Sequence, residues 1–291
     1  WLKRGVNLGR QNARAVFGAA AILMFMALVP SLVQGMVQAA LKPGVNGSIA
    51  IAAVVTVLSI LILSPLVRGY LRLIDATEHG RPAHATDVFS PFRQGGDAGR
   101  LIGFGVLMTL TYLVIAMIVI SLFGDGFLDW YMKVLTLSQE SAGGKVDPSK
   151  IPALPEGFAR MVGLGSLFGL FLSGVYALGF GQVALGRRPI GGAIVDGVLG
   201  TLKNLIPMLV LAIVVFLLSI VLGIVLALVF GLISVVGGLV HPTLAVILLL
   251  PLYLALMIAL YVVMFGVMYY FWRDVCGGQE PPPLRNDQVA L

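Results

Sequence analysis

The chain has 291 residues, of which 59% are hydrophobic and only 11% charged, and its mean hydropathy is +1.01. A soluble chain carries about 25% charged residues, so this composition excludes a soluble enzyme and a nucleic-acid binder, and a single cysteine, Cys276, excludes a disulfide scaffold. The net charge of +6 then reads as anchoring at an anionic membrane leaflet.

In chain order, the first segment, 1–14, is basic and moderately polar and is expected to form an interfacial helix. It opens on Trp1, and the natural chain is expected to begin earlier. A first apolar span follows over 15–33. Basic residues precede it and Val37-Gln38-Ala39 loosely resembles a cleavage site. The apolar run is longer than the 7–15 residues of a signal h-region, so the segment reads as a retained helix. The second span covers 49–67 and ends at a basic return with Arg68, Arg72 and Gly80-Arg81-Pro82. Gly closes a helix and Pro opens the next element. A second interfacial helix is expected over 85–100, carrying Phe89 and Phe92.

The third span covers 101–122 and is followed by the longest polar stretch, 123–160. Its first part, 127–137, is predicted as an interfacial helix with Trp130 and Tyr131 in the aromatic belt. The rest, with Ser141-Ala142-Gly143-Gly144 and Pro148, Pro152 and Pro155, reads as a loop. The fourth span covers 161–185 and carries Gly165, Gly169, Gly174, Gly179 and Gly181. Gly165 and Gly169 form Gly-x-x-x-Gly, so close helix packing is expected along this face. Gly186-Arg187-Arg188-Pro189 closes it. A third interfacial helix is expected over 190–204, with Ile194, Val198 and Leu202 as one apolar stripe. The fifth span, 205–235, has 31 residues without a charge. It is too long for the hydrocarbon core and must tilt, kink or project, with Gly223 and Gly231 as candidate bends. The sixth span covers 244–271, and a Pro-rich tail over 279–291 is expected to be disordered.

None of the six spans contains Lys, Arg, Asp or Glu. The expected fold is therefore all-α and polytopic, with six transmembrane helices in three helix-hairpin units, near 1–84, 85–189 and 190–278. Alternating segments place fourteen of the nineteen basic residues on the side of both termini. The positive-inside rule makes that side cytoplasmic and 123–160 periplasmic. Arg68, Arg72, Arg187, Arg188 and Lys203 are the candidates to meet anionic lipid headgroups there.

Chemistry-bearing motifs are scarce. Without ionisable groups in the spans, proton relays and sodium coupling find no support. Hydroxyl residues within them, such as Thr56, Ser59 and Thr109, read as bonded to their own backbone or to a neighbour. His79 and His84, with Asp75, Glu78 and Asp87 nearby, read as a solvated return rather than a metal site, and His241 as a surface residue. Cys276 reads as an inert thiol. No catalytic residue, metal or cofactor is assigned. The Gly-x-Gly at 163–165 opens a membrane span and follows no strand, so it carries no nucleotide reading.

The chain start Trp1-Leu2-Lys3-Arg4-Gly5, the return 189–207 and the ending Met268-Tyr269-Tyr270-Phe271-Trp272-Arg273-Asp274-Val275 resemble a family of uncharacterised six-helix proteobacterial inner-membrane proteins. In that family a Trp-and-Gly amphipathic start precedes the first span and a Tyr-Arg-Asp-like end closes the last. This chain departs by carrying Trp272 where the family favours Tyr, and by its Pro-rich tail. The resemblance implies location and fold but no reaction. The residues favour a non-enzymatic scaffold or accessory subunit, self-associating or bound to a membrane-protein partner. The alternative is a passive channel, or a transporter of lipid or hydrophobic molecules with a cavity between the hairpins. A membrane enzyme working through Asp75, Glu78, His79 and His84 would require those side chains to converge on one pocket.

Overall fold

A computed structural model describes residues 1–10, 12–93, 98–140 and 148–277. The protein is an all-α polytopic membrane protein. Nine α-helices are present among the described residues: α1 Leu2–Val6, α2 Ala13–Leu41, α3 Val45–Glu78, α4 Ala98–Phe123, α5 Phe127–Glu140, α6 Phe158–Ala184, α7 Ile190–Lys203, α8 Leu205–Val240 and α9 Pro242–Cys276. Six of them, α2, α3, α4, α6, α8 and α9, are long and apolar enough to cross a membrane. They pack as three hairpins, α2 with α3, α4 with α6, and α8 with α9. The expected tail over 279–291 and residues 141–147 of the long loop lie outside the described residues.

Local chemistry sets the helix ends. The Asn12 side chain caps α2 by accepting from the Ala15 amide at 3.1 Å, and its amide group donates to the Ala83 carbonyl at 3.1 Å. One residue thereby joins the start of α2 to the return after α3. Gly80 ends α3 in the left-handed region at φ 65°, where a Cβ would be strained. The corresponding return after α6 differs from expectation. There Arg187, not Gly186, takes the left-handed conformation, at φ 54°. At the start of α9, the His241 ring accepts from the Thr243 amide at 3.2 Å and Pro242 occupies the first helical turn.

Two of the three predicted interfacial helices are shorter than expected. Among the described residues of 1–14, Leu2–Val6 is helical and α2 begins at Ala13. Over 85–100 the chain forms a 3-10 helix, Ala85–Phe92, and α4 starts at Ala98. Pro91 has no amide hydrogen to donate, which favours a short element there. The third, α7, is a full 14-residue helix. Of the predicted stripe, Ile194 and Val198 pack half-buried against the core. Ala193, Gly197, Gly200 and Thr201 are buried, while Leu202 is 54% exposed. The small residues let α7 lie directly on α6, so that a Cβ on Gly197 would come within 2.8 Å of the Val175 carbonyl.

The core sits in one half of the molecule, the half that holds α1, α7 and the basic returns. Buried residues run from Ala15 to Met24 on α2, from Ser64 to Thr77 on α3, and from Leu172 to Ala184 on α6. Toward the opposite end the same helices expose most of their side chains. None of the apolar window of α8 is buried inside the protein. This outward apolar surface is what a hydrocarbon environment requires. At the far end α5 is held by an aromatic cluster of Phe127, Trp130, Tyr131 and Phe158, and the Trp130 indole donates to the Pro152 carbonyl at 3.0 Å.

Candidate functional site

Two features of the basic half stand out: a polar clasp on the last turns of α9, and an apolar cavity beside it. The clasp is built from Tyr269-Tyr270-Phe271-Trp272-Arg273-Asp274. Tyr269 donates its hydroxyl to Asp75 at 2.9 Å, and Tyr270 donates to Glu78. Arg81 pairs with the second oxygen of Asp75, and Arg273 lies 3.8 Å from Glu78. The end of α3 is thus tied to the end of α9. Asp274 accepts from the Trp1 indole at 2.9 Å and from Arg4, whose guanidinium stacks 4.6 Å from the Tyr270 ring centre. Trp1 also packs on Phe271, with ring centres 4.6 Å apart. Trp272 donates to Gln182 at 3.3 Å, Gln182 donates to Asp196 at 2.6 Å, and Arg188 reaches Asp196 at 3.1 Å. One hexapeptide therefore gathers α1, α3, α6 and, through Gln182, α7.

The chain start and the last-span ending, far apart in sequence, meet at Asp274. None of Asp75, Glu78, His79 and His84 lines the apolar cavity. Asp75 and Glu78 are engaged with the tyrosines and arginines of the clasp. His79 bonds to the carbonyl of Asp75 at 2.7 Å, and His84 opens the 3-10 helix, its backbone amide donating to Asp87 at 2.8 Å. Among the described residues no group of three or more His, Cys, Asp or Glu is placed to hold a metal ion.

The basic candidates separate into two kinds. Arg187, Arg188 and Lys203 are exposed and Arg72 is half-buried. Arg68 is 1% exposed and is among the largest fully buried side chains. It lies inside the packed end of α3 and not on a headgroup-facing surface, because the 3-10 helix packs over this end of α3. The neighbouring Gly69 permits this cover, since a Cβ there would run into the backbone of Val88.

The glycines of α6 separate as well. Gly174, Gly179 and Gly181 are buried and in close approach, Gly174 to Met208 and Thr201, Gly179 to Phe104, and Gly181 to the Trp272 ring. Gly165 and Gly169 are not packed: a Cβ on Gly165 would find only Val119 at 4.0 Å, and one on Gly169 nothing within 4 Å. Both line an open groove of about 370 Å³ between α4 and α6 toward the opposite end. Sequence reading missed Gly69, Gly197 and Gly200. The signal for the last two was present as the spacing Ala193, Gly197, Gly200, Thr201 on one helical face.

The apolar cavity has a volume of about 510 Å³ and lies between α6, α8 and α9. Leu170 lines it from α6, Met208, Leu211 and Val215 from α8, and Phe265 and Met268 from α9. Trp1 lines it at the clasp end. Helix α8 packs mainly on α9 and little on α6, and the cavity occupies the space left between them. Its size falls within the ~300–1,000 Å³ of small-molecule sites. Such a lining can hold a hydrocarbon chain, with Ser173 and Tyr176 as its hydroxyl-bearing residues.

Comparison of the chain with protein-family models, curated proteins and solved structures finds no match. Fold and site define an integral membrane protein with six apolar spanning helices.

Proposed function

We propose that this protein binds the hydrocarbon chain of a lipid or similar hydrophobic molecule within the membrane, without catalysing a reaction. The observation that carries this reading is the apolar cavity between α6, α8 and α9, whose lining is almost wholly hydrocarbon. The absence of charge from the apolar stretches 15–33, 49–67, 101–122, 161–185, 205–235 and 244–271 agrees with a cargo that needs no ion coupling. The basic end is read as cytoplasmic, in a bacterial inner membrane, with Arg187, Arg188 and Lys203 meeting anionic headgroups. The test is native mass spectrometry of the protein in lipid nanodiscs. Ala212→Trp fills the cavity from α8 and is expected to abolish the retained lipid. Leu217→Trp, on a part of α8 that faces outward, is expected to leave it unchanged. Equal retention in the wild type and both variants sinks the reading.

A scaffold or accessory role is supported by a different observation, the groove between α4 and α6 with Gly165 and Gly169 on its wall. Glycines left open at membrane depth allow a further helix, from a second copy or a membrane partner, to approach closely. Gly165→Leu with Gly169→Leu should then dissociate an assembly seen by mass in nanodiscs. An unchanged particle mass removes this support.

A further inference from the structure

The apolar cavity has a neighbour of more polar chemistry. A second cavity of about 390 Å³ lies between α2, α3, α4 and α6. Val67 and Tyr176 line both cavities, so the wall between them is one side chain thick. The second cavity is half polar: Ser31, Gln34, Thr56, Ser59, Ser64 and Thr109 contribute to it beside Val55, Ile60 and Leu63, and none of its lining residues is charged.

Three of these hydroxyls have already placed their protons. Thr56 donates to the Ala52 carbonyl at 2.9 Å, Ser59 to Val55 at 2.7 Å, and Thr109 to Gly105 at 2.9 Å. A hydroxyl that donates along its own helix keeps its oxygen lone pairs. The cavity therefore offers acceptors, to which Gln34 and Tyr176 add donors. At hydrocarbon depth a polar group without a partner is costly. A ligand group that matches this lining both donates and accepts hydrogen bonds and carries no charge. Phosphate and carboxylate fit poorly, because both are charged and no cation lines the cavity to offset the charge.

Building on the chain-binding reading above, we infer that the two cavities form one site for an amphiphile. Its hydrocarbon chain occupies the apolar compartment, and an uncharged, hydroxyl-bearing headgroup such as glycerol or a sugar occupies the polar one. Tyr176 stands at the junction, with an apolar ring and a polar hydroxyl on one side chain.

The experiment uses the full chain in nanodiscs of phosphatidylcholine doped equally with monooleoylglycerol, oleic acid and phosphatidylglycerol, read by native mass spectrometry. Monooleoylglycerol is expected to be retained about tenfold over the two anionic lipids, the preference given by one or two net hydrogen bonds. Ser59→Ala with Thr109→Val removes two acceptors at nearly constant volume. It is expected to bring the three lipids to parity while total lipid retention stays the same. Thr56→Val alone serves if the double variant does not fold, with a smaller loss of preference. Free glycerol, which has no chain, is expected not to compete. If wild-type protein retains no lipid, the chain-binding reading fails and this inference with it. If lipid is retained without preference for the uncharged headgroup, if the preference survives the substitutions, or if free glycerol competes, only the shared site is overturned.

Discussion

At the scale of single residues, the value of a glycine is set by what faces it. Gly181 lies against the Trp272 ring, whereas Gly169 faces open space. Gly181→Val forces a side chain into a packed contact and is expected to lower stability by about 1–3 kcal/mol. Gly169→Val should stay within about 0.5 kcal/mol. Thermal melting of both variants in the same detergent checks the pair. Asp274 is a second such residue. It receives both Trp1 and Arg4, but the ion pair is more than a third exposed. Solvent screening therefore limits its worth, and Asp274→Ala is expected to cost about 1 kcal/mol or less. The effect should be local. Amide exchange in Leu2–Val6 should accelerate, while exchange in α3 keeps its wild-type rate. Uniform acceleration across the protein would contradict a local clasp.

At the scale of elements, α7 shows how far a sequence pattern reaches. The stripe Ile194, Val198, Leu202 predicts an amphipathic helix, and a helix is there. Which face it buries is decided by α6. Close backbone contact gains more packing through Ala193, Gly197 and Gly200 than large side chains would allow, and Leu202 is left facing outward. Gly197→Leu is expected to lift α7 from α6 and break the link from Gln182 to Asp196. The measurement is exchange protection of 190–203, which should fall while α8 is unaffected. The junction of α3 and α9 behaves differently, because it is held by directed bonds. Tyr269→Phe with Tyr270→Phe removes two hydrogen bonds to carboxylates. Bonds to charged groups are worth about 1.5–3 kcal/mol each. Partial exposure of Asp75 and Glu78 reduces this, so a combined loss of about 2 kcal/mol is expected in a melt at neutral pH.

At the scale of the whole molecule, the three hairpins converge at the basic end and part toward the other. The convergence is chemical: the clasp residues are the polar ones that bond across helices, and the far ends of the spans offer little beyond apolar contact. The parting opens the α4–α6 groove, while the apolar cavity lies beside the clasp at the converging end. At 1.5 Å per residue the 36 residues of α8 span about 54 Å, well beyond a ~30 Å hydrocarbon core. The helix runs unbroken through Gly223 and Gly231, so tilt or projection absorbs the excess, not a break at either glycine. Orientation is directly testable through Cys276, the single cysteine. A membrane-impermeant maleimide should label Lys133→Cys in a Cys276→Ser background from outside right-side-out vesicles. It should reach Cys276 itself only in inverted ones. The reverse pattern would overturn the positive-inside assignment.

The six spans and the all-α class were legible in the chain, because each depends on composition along a stretch of about 20 residues. The helix of the long loop was legible too, at Phe127–Glu140, from its aromatic residues and its periodicity. Contacts between distant segments were not legible. Counting Arg68 with the basic return follows from its place in the chain, yet the count carries no information on which face of α3 meets the 3-10 helix. Gly-x-x-x-Gly at Gly165 and Gly169 signals a capacity for close approach, and only the packing of α4 and α6 leaves that capacity unused within the chain. The resemblance-bearing ends, Trp1 to Gly5 and Met268 to Val275, gave no sign that they meet at Asp274. Hydrophobicity and periodicity act along the chain and need no partner to be read. Burial, clasp and cavity arise between helices, from side chains whose neighbours exist only once the hairpins have packed.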